Sequence, residues 1–154
     1  MIKINVVSNN SKWDQYLKKP ERYIDNKVKN LNLRYNNFKD KVIFCTLLLS
    51  GDFQIKKLNS RFRNKNKSTD VLSFPFYNKK DLKKKFLKEK EIYLGDIIIN
   101  LNKIINKKDN KNFKGEFNKL WVHGLVHLLG HDHKKEKDFK NMEKVEKKLI
   151  SYLK

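Results

Sequence analysis

The sequence contains no alanine, one cysteine, two prolines, five glycines and only four arginines in 154 residues. The lone Cys45 cannot close an internal disulfide, which excludes a disulfide-stapled secreted scaffold and points to a reducing compartment, the cytoplasm. No stretch approaches the roughly eighteen consecutive apolar residues of a membrane span, so no membrane partner is expected. The opening Met1–Val7 has too short an apolar run for a signal peptide and lacks a small-residue cleavage site. A 38% hydrophobic share excludes a wholly disordered chain. No repeat, linker or composition break divides it, so residues 1–154 read as a single domain that buries roughly two thirds of its unfolded surface.

What the chain has in excess is positive charge, 37 Lys+Arg against 17 Asp+Glu, a net +20. A field of that size attracts polyanions, of which nucleic acid is the commonest in a cell. The same charge has a second source. Lys, Asn and Ile are written with A- and T-rich codons, whereas the missing Ala and the scarce Gly, Pro and Arg need G and C.

Periodicity gives the elements. Ile2 to Val7 reads as a strand, and from Lys12 onward Trp13, Tyr16, Leu17, Ile24, Val28, Leu31 and Tyr35 recur at helical spacing, with Pro20 a kink or the opening of a second helix. Val42 to Leu49 is a strand ended by Ser50-Gly51. Asp52 looks like the N-cap of a short helix burying Ile55, Leu58 and Phe62. Val71 to Phe76 is a strand that Pro75 sends to an edge or a strand end, and Ile92 to Ile99 is another, followed by a helix through Ile104 and Ile105. The lysine-dense stretch 78–90 between them reads as a solvated loop or hairpin tip, or as a phosphate-contacting arm. Helices are expected at Gly115–Leu129 and from Lys135 to the end, the latter with a stripe of Phe139, Met142, Val145, Leu149 and Leu153. The predicted fold is α+β, a small mixed sheet of about four strands, mostly in consecutive order, packed with about five helices.

All four histidines fall between positions 123 and 133. His123 and His127 lie four apart on one helix face, about 5–6 Å apart at Cβ, a spacing that suits two imidazoles on one metal ion. Gly130 offers a left-handed exit from the helix. Were the helix to continue, His131 would stand about 12 Å along the axis from His123 and about 80° around it, too far for one ion. A third ligand returning from beyond Gly130 is therefore either His131 or His133, and spacing does not choose. Three imidazoles leave a tetrahedral ion one open position, the arrangement of catalytic sites, in which a water titrates near neutrality. The alternative is a helix with two hydrogen-bonded buried histidines. Gly124 stands where H-E-x-x-H proteases carry their glutamate base. Asp132 is a partner to a ligand, a base, or a cap for the last helix.

Upstream, Leu58 to Pro75 holds two of the four arginines, Arg61 and Arg63, with Lys65 and Lys67 beside them. Arginine is the better bidentate phosphate donor, so a phosphoryl clamp is sought here; the alternative is a solvent-facing helix end with ordinary ion pairs.

Together, H-G-x-x-H-L-x-G-x-D-H at His123–His133, L-N-x-x-[YF]-R followed by T-D-V-L-S-F-P within Leu58–Pro75, and the strand Leu94–Ile99 resemble the YbeY family of bacterial rRNA maturation factors and single-strand-specific metallo-endoribonucleases. The resemblance implies that His123, His127 and His133 ligate one zinc or other divalent transition metal, and that Arg63 is the functional arginine. His131, at a position often held by Tyr, then packs or supports a ligand. Ser68 departs from the usual Pro, and the alanines usual around the metal helix are absent. The implied activity is hydrolysis of single-stranded RNA in maturation of the 3′ end of 16S rRNA and in ribosome quality control. The implied partners are ribosomal RNA, the small ribosomal subunit and ribosome-assembly proteins. Arg61, Lys65 and Lys67 would hold the RNA backbone. Two rival readings remain: a metal-stabilised assembly factor with little catalysis of its own, and amide or ester hydrolysis, which Gly124 disfavours.

Overall fold

The computed structural model describes residues 1–105 and 107–154. Strands β1 (Ile2–Ser8), β2 (Val42–Ser50), β3 (Val71–Pro75) and β4 (Glu91–Asn100) form one mixed sheet in the order β1-β2-β4-β3. β1 and β4 both run parallel to β2, and β3 runs antiparallel to β4. The expected consecutive order is therefore corrected at one point. β3 lies outside β4, because parallel β2 and β4 need a long crossover between them, and Pro75, with no N–H to donate, belongs at an edge.

Strand alternation divides the chain into two cores. Ile43, Cys45, Leu47, Leu49, Ile97 and Ile99 face one side, where α1 (Pro20–Arg34), α4 (Asn110–Leu128) and α5 (Glu136–Ser151) bury Ile24, Leu31, Phe117, Trp121 and Leu149. Trp13 fills the centre of this layer, edge-on to Phe113 and Phe117, its indole N–H donating to the Ser50 carbonyl at 2.8 Å. Leu72 and Ile98 face the other side, under Ile55 of α2 (Asp52–Arg63). α2 covers only part of that face. Beyond it Phe44, Tyr93 and Phe76 form an aromatic row, with Phe44 39% and Phe76 64% exposed.

Several expectations shift. Pro20 opens α1, after a separate 3-10 turn at Ser11–Gln15. Gly51, not Asp52, is the N-cap of α2, and Asp52 inside the first turn accepts from Asn100 Nδ2 at 2.7 Å. The buried face of α2 is Ile55 and Asn59, while Phe62 is 60% exposed and packs edge-on against Phe74. The lysine-dense stretch is a helix, α3 (Lys79–Lys88). Asn78 caps it at Asp81 N, Leu82 is buried, and Phe86 stacks on Phe38, so two apolar side chains four apart anchor it among lysines. Among the described residues after β4, a 3-10 turn at Leu101–Lys103 takes the place of the expected helix; Ile104 is buried, Ile105 is exposed, and α4 begins behind its Asp109 cap. On α5, Met142 and Leu149 are buried but Phe139 is exposed.

Cys45 lies in mid-sheet, and burial, then the nearby Asp96 carboxylate, push its thiol up to about 12. The native protein is expected to leave DTNB unreacted at pH 8 and to release one equivalent once unfolded in urea; fast native reaction would contradict the burial.

Candidate metal centre

α4 is held in place by a stripe that repeats every three to four residues, Phe113, Phe117, Trp121, Leu125 and Leu128, all buried. His123 and His127 sit on the adjoining face and are half-buried. The helix ends in a Schellman turn. Gly130 takes φ +94°, its N–H donates to the His127 carbonyl at 2.9 Å, and the His131 N–H donates to the Val126 carbonyl at 3.2 Å. This turn sends the chain back along the helix and delivers the third ring. Ring centroids are 4.6 Å apart for His123 and His127, 4.9 Å for His127 and His133, and 5.9 Å for His123 and His133. Of the two open choices, the ring of His133 joins the cluster, and ligating atoms of the three residues lie within 4.8 Å of one another.

The donor set suits a metal ion. Nδ1 of His123 lies 2.6 Å from Glu146 Oε1, and Nδ1 of His127 lies 3.0 Å from the His131 carbonyl oxygen. A carbonyl or ionised carboxylate oxygen only accepts, so each Nδ1 is the donor, and in the neutral ring, the form that ligates, Nε2 then presents its lone pair. Those two Nε2 atoms face each other at 3.2 Å. A divalent ion bridging them would satisfy both lone pairs, since bonds of about 2.0–2.1 Å in a tetrahedron give an edge of about 3.3 Å. Burial, then neighbouring His123, hold the His127 imidazole below its usual pKa, in the neutral form that ligates.

Glu146 escapes the sequence reading. Its signal is faint: a carboxylate at the margin of the apolar stripe of α5, next to Val145 and one turn after Met142. His131 contributes its backbone carbonyl, while its side chain lines the cleft, its pKa lowered by burial and by Lys79. Asp132 does not cap the last helix, whose N-cap is Lys135 with no side-chain bond. Its Oδ1 accepts from His133 N at 2.7 Å, a bond that is the main cause of its lowered pKa.

The histidines open into a cleft of about 1400 Å³, with Arg63 and Lys65 on its wall and Lys79, Lys134 and Lys144 around it. The loop that follows Arg63 is held by buried amides. Asn64 ends α2 in the left-handed region at φ +54°, the Asn59 side chain donates to the Lys67 carbonyl at 2.9 Å, and Asn100 donates from its side chain to Thr69 O and from its backbone to Asp70 O. Arg61 lies over the Phe62 ring at 5.3 Å, and neither Arg61 nor Lys67 lines the cleft.

Gly124 faces the sheet. A Cβ there would stand 2.6 Å from Ile97 Cγ2 and 3.2 Å from Ser73 Oγ, and the Ser73 hydroxyl donates to the Gly124 carbonyl at 3.4 Å. A side chain at the protease-glutamate position would therefore meet β4, not the cleft.

The family model described as Endoribonuclease YbeY matches residues 6–154. The Endoribonuclease YbeY of Pelagibacter ubique (strain HTCC1062) is 45% identical over 157 aligned positions, covering 100% of this chain and 97% of its own. That of Ehrlichia canis (strain Jake) is 35% identical over 155 positions, covering 99% and 93%. The solution structure of TM1509 from Thermotoga maritima is similar in fold, with a TM-score of 0.56 at 24% identity over 99% of this chain and 89% of that one.

Two glycines of α4 give opposite expectations. Gly124→Ala should destabilise the protein by about 1–3 kcal/mol through overpacking. Gly115→Ala, where a Cβ meets nothing within 4 Å, should stabilise it by up to about 1 kcal/mol through helix propensity. Urea unfolding of both variants checks the pair, and equal effects would contradict the close packing of α4 on β4.

Proposed function

Because the chain belongs to the Endoribonuclease YbeY family, we propose that it is a metal-dependent endoribonuclease that hydrolyses single-stranded RNA. The observation that carries this reading is the convergence of three imidazoles on one point of a cleft that Arg63 also lines. His123, His127 and His133 hold one ion, zinc in this reading; three imidazoles accept nickel, cobalt or copper as well, and availability decides among them. When bound, such an ion acidifies a water and polarises a phosphoryl oxygen. The chain's own residues do the rest. The Arg63 guanidinium bears on the charge that gathers on the phosphoryl oxygens in the transition state, where a preorganised donor acts most strongly. Lys65, Lys79, Lys134 and Lys144 hold the phosphate backbone on either side with little regard to sequence, with Arg61 and Lys67 contacting it outside the cleft. Asp132 fixes the turn that carries His133.

In this reading the substrate is the 3′ end of 16S rRNA, and the protein works in the cytoplasm on the small ribosomal subunit with assembly proteins, in maturation and quality control. The family resemblance and the net charge of +20 support it. Residues 1–154 act as one domain. A second reading, an assembly factor with little catalysis, draws on the uncovered row of Phe44, Phe76 and Tyr93 on the open sheet face.

Metal stoichiometry and cleavage of a labelled single-stranded RNA, measured in parallel, separate the two. One ion per chain is expected, lost with cleavage in His127→Ala. Arg63→Ala should keep its ion while kcat falls by about 10²–10³. Metal binding without cleavage in the parent, or cleavage that persists equally in both variants, would replace the nuclease reading with the assembly-factor one.

A further inference from the structure

The other glutamates of α5 that pair do so along their own helix. Glu136 pairs with Lys140 and Glu143 with Lys147, each four residues on. Glu146 cannot, because the positions four before and four after it are Met142 and Ile150. Among the described residues it has no lysine or arginine partner, in a chain with 37 of them. It is half-buried, and its Oε1 reaches across to Nδ1 of His123 at 2.6 Å. Met142 and Leu149, both buried, clamp α5 on either side of it.

From this geometry we propose that Glu146 is a positioning residue for metal capture, fixing the tautomer and orientation of His123 and making α5 part of the metal site. The inference rests on the metal-centre reading above and adds a residue and an element to it. The two helix-borne imidazoles are held by unlike partners. His127 donates to the carbonyl of His131, supplied by the turn that follows α4. His123 donates to a carboxylate from a different helix, more than twenty residues away in sequence. An ionised oxygen 2.6 Å from Nδ1 makes the stronger bond, raises the electron density at Nε2, and offsets part of a divalent ion's charge amid neutral ligands. Capture of the ion and docking of α5 are consequently coupled, since both act on the same imidazole.

The test uses zinc as the probe, with affinity read by competition against a chromophoric chelator for the parent, Glu146→Gln and Glu143→Gln. Glu146→Gln keeps the shape of the side chain and removes its charge; Glu143→Gln removes the same charge one turn earlier. Zinc affinity is expected to fall by about 10–100-fold in Glu146→Gln and to stay at the parent value in Glu143→Gln. The melting temperature of the zinc-free protein should be alike in all three. A merely structural pairing of α4 with α5 would instead lower the zinc-free melting temperature and leave the affinity alone, which would overturn the proposal. Equal weakening in both variants would overturn it as well, by reducing the effect to net charge. If the parent holds no stoichiometric zinc, the metal-centre reading itself falls; parental binding with unchanged affinity in Glu146→Gln sinks this inference only.

Discussion

Two imidazole Nε2 atoms facing each other at 3.2 Å are the constraint on which the structure of the site depends. The arrangement persists only if three things hold at once. α4 must lie close on the sheet, which Gly124 permits by offering no Cβ to Ile97. The chain must turn back sharply after the helix, which Gly130 permits at φ +94°. Each Nδ1 must have an acceptor, which the His131 carbonyl and the Glu146 carboxylate provide. A divalent ion held between the nitrogens would use both as ligands. Packing, turn chemistry and second-layer hydrogen bonds thus serve one ligand field.

Much of this is legible in the sequence because it is local. Helical spacing puts His123 and His127 on one face, and Gly130 announces the exit. The alternating burial of β2 arises because helices cover one face of the sheet while α2 covers the other only in part. What is hidden is hidden by distance. β3 lies beyond β4 because pairing is decided across the chain, and only Pro75 hints at the edge. α3 is masked because its anchors are just Leu82 and Phe86 among lysines, so the period is too thinly sampled. Asp52 has the composition of a cap, but the Asn100 side chain engages its carboxylate from another strand. Phe62 and Phe139 have the right spacing for a core and the wrong register against it. Glu146 is invisible for the same reason, since its partner lies on another helix.

Asn59 and Asn100, almost fully enclosed, each donate from the side chain to a carbonyl of the loop 64–70. A loop between a helix and an edge strand would otherwise be free to move. The bulk charge of +20 contributes little to such placement. Its local use is narrower: Arg63 and Lys65 on one wall, with Lys79 from α3, Lys134 from the turn before α5 and Lys144 from α5 around the histidines. Composition sets a general attraction for polyanions, while the amides and turns decide where a phosphate comes to rest.

The central claim is that three imidazoles hold one ion and leave one position open. X-ray absorption at the zinc edge of the zinc-loaded protein tests it directly. The account predicts three imidazole nitrogens and one further oxygen, all at about 2.0–2.1 Å. A closed shell of four protein donors, or only two imidazoles on the ion, would contradict it.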